Sequence, residues 1–171
     1  DAVKPSSQCG LMMDIGLTSV NAGQLDSAQY YFDQAFEYLA QDSGMTPDLY
    51  AFYAPFLLKA RRLDEAQFYL DFTYDAWKEI GFTQGYTSAC LGLAELNFYR
   101  EEYGVTIDFA REAEELAISL SNPFYEAEAI EWKAKAQEAL GMTEAGLRSY
   151  KALNQKNQEI DEIKKEQKLE V

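Results

Sequence analysis

The sequence predicts an all-α protein assembled from helical hairpins. Three observations carry that reading. Apolar residues recur at three- and four-residue steps almost throughout, no alternating strand pattern competes with them, and the helical pattern itself repeats. The repeat is the most specific of the three. A small residue is followed twelve positions later by a second small residue, four later by a bulky one, and three later by a small or apolar one. The copies are Gly16, Ala28, Phe32, Ala35; then Ala54, Ala66, Leu70, Thr73; then Ala94, Thr106, Ala110, Ala113; then Ala134, Gly146, Tyr150, Leu153. Successive copies are offset by 38, 40 and 40 residues, and Ala110 stands where the other copies carry a bulky side chain.

Each element has a local cause. Two antiparallel helices joined by a short turn approach closely only where small side chains meet, and a larger residue one turn on fills the space beside the crossing. The periodicity places the first helices of the four hairpins at 7–22, 47–60, 84–100 and 123–140. It places the second helices at 25–41, 63–80, 103–120 and from 143 onward. Gly23 and Gly141 fall just past first helices, where a left-handed residue ends a helix. Asp26, Asp64 and Glu144 put acid into the following first turns, where the helix dipole favours it. Thr46-Pro47 and Asn122-Pro123 read as an N-cap followed by proline at the first helical position. Pro55 lies inside a first helix and should kink it.

Composition narrows the chemistry. With 171 residues, 47% of them hydrophobic, the chain can bury a core and is not a disordered segment. The formal net charge of −14 disfavours nucleic acid and anionic membrane surfaces as partners. The absence of His removes His-based triads, HExxH zinc sites and imidazole proton shuttles. There is no Gly-Lys-Ser/Thr loop, no GxGxxG and no DxDxDG. Glu101-Glu102, Glu114-Glu115 and Asp161-Glu162 are adjacent pairs whose side chains point about 100° apart on a helix, so they read as solvated faces rather than acid/base sites. Tyr30-Tyr31-Phe32 and Phe68-Tyr69 flank the packing positions of second helices and read as filling between hairpins, with a stacking platform as the alternative. No run approaches the apolar length of a membrane-spanning helix. Cys9 and Cys90 read as buried thiols, a single bridge being the alternative. A chain opening at Asp1 reads as a mature product or an excised piece of a longer one. The expectation is a protein without catalytic, cofactor or metal site.

The repeat resembles the tetratricopeptide family. The matching pieces are AGQLDSAQYYFDQA at 22–35, ARRLDEAQFYLDFT at 60–73 and LGLAELNFYREEYGVTIDFAREAEELA at 91–117. The family's usual unit is shorter, and insertions at Ser43–Thr46, Gly81–Tyr86 and Ser121–Glu126 account for the longer period. Long-unit members of the family share this feature. HEAT-type repeats also have a period near this length, but the twelve-residue spacing between small residues is the tetratricopeptide one. The resemblance implies a right-handed α-solenoid of about four helix-turn-helix repeats over 1–156, with 157–171 a helical extension or linker toward another domain. It also implies that first helices line a concave groove. The family's groove-facing positions fall here on Met13, Leu17 and Val20, on Ala51, Pro55 and Leu58, and on Leu91, Glu95, Phe98 and Tyr99. The fourth hairpin contributes Glu128, Glu131, Lys135 and Glu138. Such a groove is apolar at one end and acidic at the other. Only Asn21, Lys59 and Lys135 could clamp a peptide carboxylate, which argues against that mode of binding.

From Asn154 the composition shifts. Residues 151–171 carry five Lys and five acidic residues, so the whole net charge lies in 1–150. The segment GLRSYKALNQKNQEIDEIKKEQKLEV is similar to the exit helix of tetratricopeptide sensor regions in Bacteroidetes-type signalling proteins. That likeness implies a non-enzymatic protein- or peptide-binding module acting as sensor or scaffold of a larger histidine kinase or LuxR-type regulator. The alternative is a stand-alone adaptor. The partner would be a protein, a peptide or a segment of the same protein, with no nucleic acid bound and no membrane inserted by this segment. A sensor ectodomain would be periplasmic, an adaptor cytoplasmic.

Overall fold

The computed structural model describes residues 5–40 and 46–169. They form eight helices: α1 (Pro5–Asn21), α2 (Leu25–Leu39), α3 (Thr46–Lys59), α4 (Leu63–Ile80), α5 (Thr83–Tyr99), α6 (Tyr103–Ser119), α7 (Pro123–Ala139) and α8 (Thr143–Leu169). No strand occurs among the described residues. Helix ends lie within two residues of those the periodicity places. Most of the first insertion, at Ser43–Met45, lies outside the described residues.

Packing divides the chain into two compact units, residues 1–80 and 81–171. Each unit contains two helical hairpins with one internal logic. In the first, α1 packs on α2, α3 on α4, and α3 also seats against both α1 and α2. In the second, α5 packs on α6, α7 on α8, and α7 seats against both α5 and α6.

The small residues of the repeat are where hairpins close. Gly16, Ala28 and Ala35 are buried, as are Ala54 and Ala66, Ala94, Thr106, Ala110 and Ala113, and Ala134 and Gly146. At Gly16 the approach is tightest: a Cβ placed there would lie 3.0 Å from Cζ of the buried Phe32. Phe32 in turn anchors an aromatic cluster. Its ring lies 5.2 Å from Tyr53 and 5.8 Å from Phe56, and Phe36 meets Tyr53 at 5.1 Å edge to face. Tyr69 of α4 closes the cluster at 5.1 Å from Tyr53. The paired aromatics thus split. Phe32 and Tyr69 fill space between helices, whereas Tyr30 and Phe68 stay exposed. Cys9 and Cys90 are both buried, and Cys9 Sγ–H donates to the Ala35 carbonyl at 3.5 Å.

In the second unit polar cross-links supplement the packing. The Tyr86 hydroxyl donates to the Glu112 carboxylate between α5 and α6, and Lys133 of α7 pairs with Glu114 of α6. Lys156 of α8 pairs with Glu126 of α7 at 2.9 Å, on side chains only about a fifth exposed. Asn122 caps α7 as its sequence predicts: Oδ1 accepts from the backbone N–H groups of Phe124 and Tyr125 at 3.1 and 3.2 Å, with Pro123 next in line. The helix α3 runs unbroken through Pro55, although the ring removes one N–H from its ladder.

One turn recurs in all four hairpins. Residues 23, 61, 101 and 141 have left-handed φ angles of 74°, 59°, 63° and 70°. Each donates its N–H three residues back, and the next residue donates five back, as in Glu101 to Phe98 at 3.0 Å and Glu102 to Asn97 at 2.8 Å. The spacing of these turns is 38, 40 and 40 residues, the same as that of the small-residue motif. Sequence reading found the two glycines and missed Arg61 and Glu101. The two backbone bonds hold an L-residue in a conformation that costs about 1–2 kcal/mol.

Two expectations follow. Gly16→Leu or Ala94→Leu overpacks a closed crossing and should lower stability by about 1–3 kcal/mol, read as a drop in thermal midpoint; an unchanged midpoint for both would refute the packing register. Glu101→Gly should raise stability by about 1 kcal/mol by relieving the left-handed strain, measured by urea denaturation, while Gly141→Ala should lower it.

Candidate functional site

The residues projected onto a groove meet different fates. Met13, Val20, Leu58 and Leu91 are buried core side chains and offer no surface, which corrects the projection for these four. The reason is the seating of α3 on both helices of the first hairpin and of α7 on both helices of the third. Apolar residues on the inner sides of α1, α3 and α5 are enclosed by that arrangement. Leu17, Ala51 and Pro55 are half-buried, and so are Glu95, Phe98, Tyr99, Glu131 and Lys135.

Of these, the structure brings together those of α5 and α7. Glu95, Phe98 and Tyr99 share one face of α5 because residues three and four apart stack along a helix. Glu128, Glu131, Trp132 and Lys135 share the facing side of α7 by the same rule. The Phe98 ring lies 5.5 Å from Trp132 and 5.5 Å from Tyr103, and Tyr99 meets Trp132 edge to face at 6.1 Å. The Tyr99 hydroxyl donates to Glu95 Oε1 at 2.7 Å. Lys135 pairs with Glu131 at 2.6 Å and sits over the Trp132 ring at 4.4 Å. The result is an aromatic floor, half open to solvent, edged by three carboxylates and one ammonium.

Glu128 shows the field of this face. Its side chain stays exposed, yet its carboxyl is raised above the usual carboxylate range, first by loss of part of its solvation among crowded neighbours and then because Glu95 and Glu131 are negative beside it. A hydrogen bond from Trp132 and the Lys135 charge oppose that shift. The face therefore holds more negative charge than its own cation neutralises.

A second concavity adjoins this face, a cleft of about 420 Å³ between α7 and α8 that shares Glu128 and Glu131 with it. Its walls include Phe124, Trp132, Leu153, Asn157 and Ile160, with Lys164 at one end, 5.7 Å from the Phe124 ring. Sequence reading did not single out this cleft. The signal was present in the seven-residue spacing of Tyr150, Asn157 and Lys164 with Leu153 and Ile160 between them.

Among the described residues no group of three Cys, Asp or Glu side chains is arranged to hold a metal ion, and no helix is long and apolar enough to cross a membrane.

The raised Glu128 carboxyl sets a pH dependence. A folded-state value above the unfolded one means that the native state holds the proton more tightly. Its stability therefore falls as pH rises through the window between the two values. Glu128→Gln should raise the thermal midpoint at neutral pH. The gain should vanish once pH falls below the ordinary carboxylate range of about 4, as checked by thermal melts across pH. Compared as a sequence with models of protein families and with curated proteins, the chain matches none of either.

Proposed function

We infer that the chain is a non-enzymatic module that binds a protein or peptide through the α5–α7 face. The observation that carries this reading is the half-open aromatic floor of Phe98, Tyr99 and Trp132 bordered by Glu95, Glu128 and Glu131. Aromatic side chains with both an apolar body and a polar edge suit a binding surface. The surplus of carboxylates selects a partner with Lys or Arg placed beyond an apolar anchor. The ring of Trp132 already carries one cation, Lys135, so a second fits the same chemistry.

The architecture in this reading is a right-handed tetratricopeptide-like α-solenoid of four hairpins. Support comes from two patterns with one spacing, the buried small residues and the left-handed turns at 23, 61, 101 and 141. The module serves as the sensor or scaffold segment of a larger bacterial signalling protein, in keeping with the Lys/Glu-rich continuation of α8. A stand-alone adaptor is the second reading. A periplasmic site goes with the sensor and a cytoplasmic one with the adaptor.

A peptide array that varies the charge next to an apolar anchor tests the binding reading. Basic sequences should be retained, acidic ones rejected, and binding should weaken as salt rises. Phe98→Ala should cost about 1–3 kcal/mol of binding for the retained peptides, measured by calorimetry. Equal retention of acidic and basic sequences, or binding indifferent to Phe98→Ala, would refute it.

A further inference from the structure

The α7–α8 cleft is a seat that the fold fills elsewhere. In unit 1–80, α3 sits across both helices of the α1–α2 hairpin; in unit 81–171, α7 sits across both helices of the α5–α6 hairpin. Where α2 presents Phe32 and Ala35, fully buried, α8 presents Tyr150, 37% exposed, and the half-buried Leu153. A helix is therefore the shape this cleft accepts.

The chemistry of α8 indicates which helix. Tyr150, Leu153, Asn157 and Lys164 keep access to solvent at three-, four- and seven-residue steps, with Ile160 already buried between the last two. That is the spacing of a seam that packs on another helix, with one polar residue at its centre fixing register. Charge is graded along the same face. Glu138, which accepts from the Tyr150 hydroxyl at 2.8 Å, marks one end, and Lys164 marks the other. A two-fold axis through Asn157 brings opposite ends together, so that Lys164 of each copy meets Glu138 of the other. The surroundings permit it: residues 151–171 balance five Lys against five acids, in a chain whose net charge of −14 lies entirely in 1–150. Two copies repel least where α8 meets α8.

We propose that the chain forms a symmetric dimer in which the α8 helices of two copies pack antiparallel, each seated in the α7–α8 cleft of the other. The interface is isologous, with one self-complementary stripe used twice. The cleft shares Glu128, Glu131 and Trp132 with the α5–α7 face, but Phe98 is not among its walls, so Phe98→Ala leaves the dimer intact.

Sedimentation equilibrium of the full chain, from the low micromolar range to several hundred micromolar, should show a reversible monomer–dimer equilibrium. Lys164→Glu and Glu138→Lys should each weaken the dimer by about tenfold, and the two together should restore most of it. Both positions lie on exposed side chains, and unchanged circular dichroism melts will show that folding is intact. Asn157→Cys should give a disulfide-linked dimer under mild oxidation, whereas the parent chain, with Cys9 and Cys90 buried, should not. A parent chain that stays monomeric throughout overturns the proposal. So does a dimer indifferent to all three substitutions, or a monomer that instead seats a basic helical peptide in this cleft.

Discussion

The close crossing of two helices within each hairpin is the constraint on which the other features depend. Where Gly16 lets the Phe32 ring approach to contact distance, the two helix axes are fixed with little freedom to slide. That crossing sets which face of the second helix looks outward to the next element. Phe32 then becomes the floor for Tyr53 and Phe56, and the aromatic cluster of the first unit follows. In the second unit Ala94 and Ala134 occupy the corresponding positions, and the aromatics move out to the half-open face around Trp132. One packing rule thus yields a filled aromatic core in one unit and an aromatic surface in the other.

Helix positions were legible because their causes are local. Asn122-Pro123 caps α7 with bonds that depend on neighbours within three residues, and Gly23 and Gly141 end helices through their own backbone freedom. The left-handed turns at Arg61 and Glu101 were not legible, because tertiary closure of the hairpin imposes them against residue preference. Four groove positions were misplaced for a related reason. Spacing places Met13, Val20, Leu58 and Leu91 on a helix face, but whether that face is covered depends on how α3 and α7 seat across two helices each. Glu95, Tyr99, Glu131 and Lys135 keep access to water because carboxylate, ammonium and hydroxyl groups resist full burial, and Phe98 stays half-buried beside them.

Charge and aromatic content are coupled in the second unit. Glu128 lies beside two other carboxylates and is held above its ordinary range, yet the chain keeps all three around Trp132. Interior ion pairs such as Lys133 with Glu114 and Lys156 with Glu126 tie helix to helix. Around Trp132, Lys135 pairs with Glu131 and Tyr99 donates to Glu95, each within a single helix.

The 27 residues of α8 continue as one helix well beyond the 17 of its hairpin partner α7. At 1.5 Å per residue the rod is about 40 Å long, of which roughly 15 Å extends past the end of α7. A continuous helix bends little over that distance, so tilt at its base is carried along the rod. A few degrees of tilt in the α7–α8 hairpin become a displacement of an ångström or more at the tip.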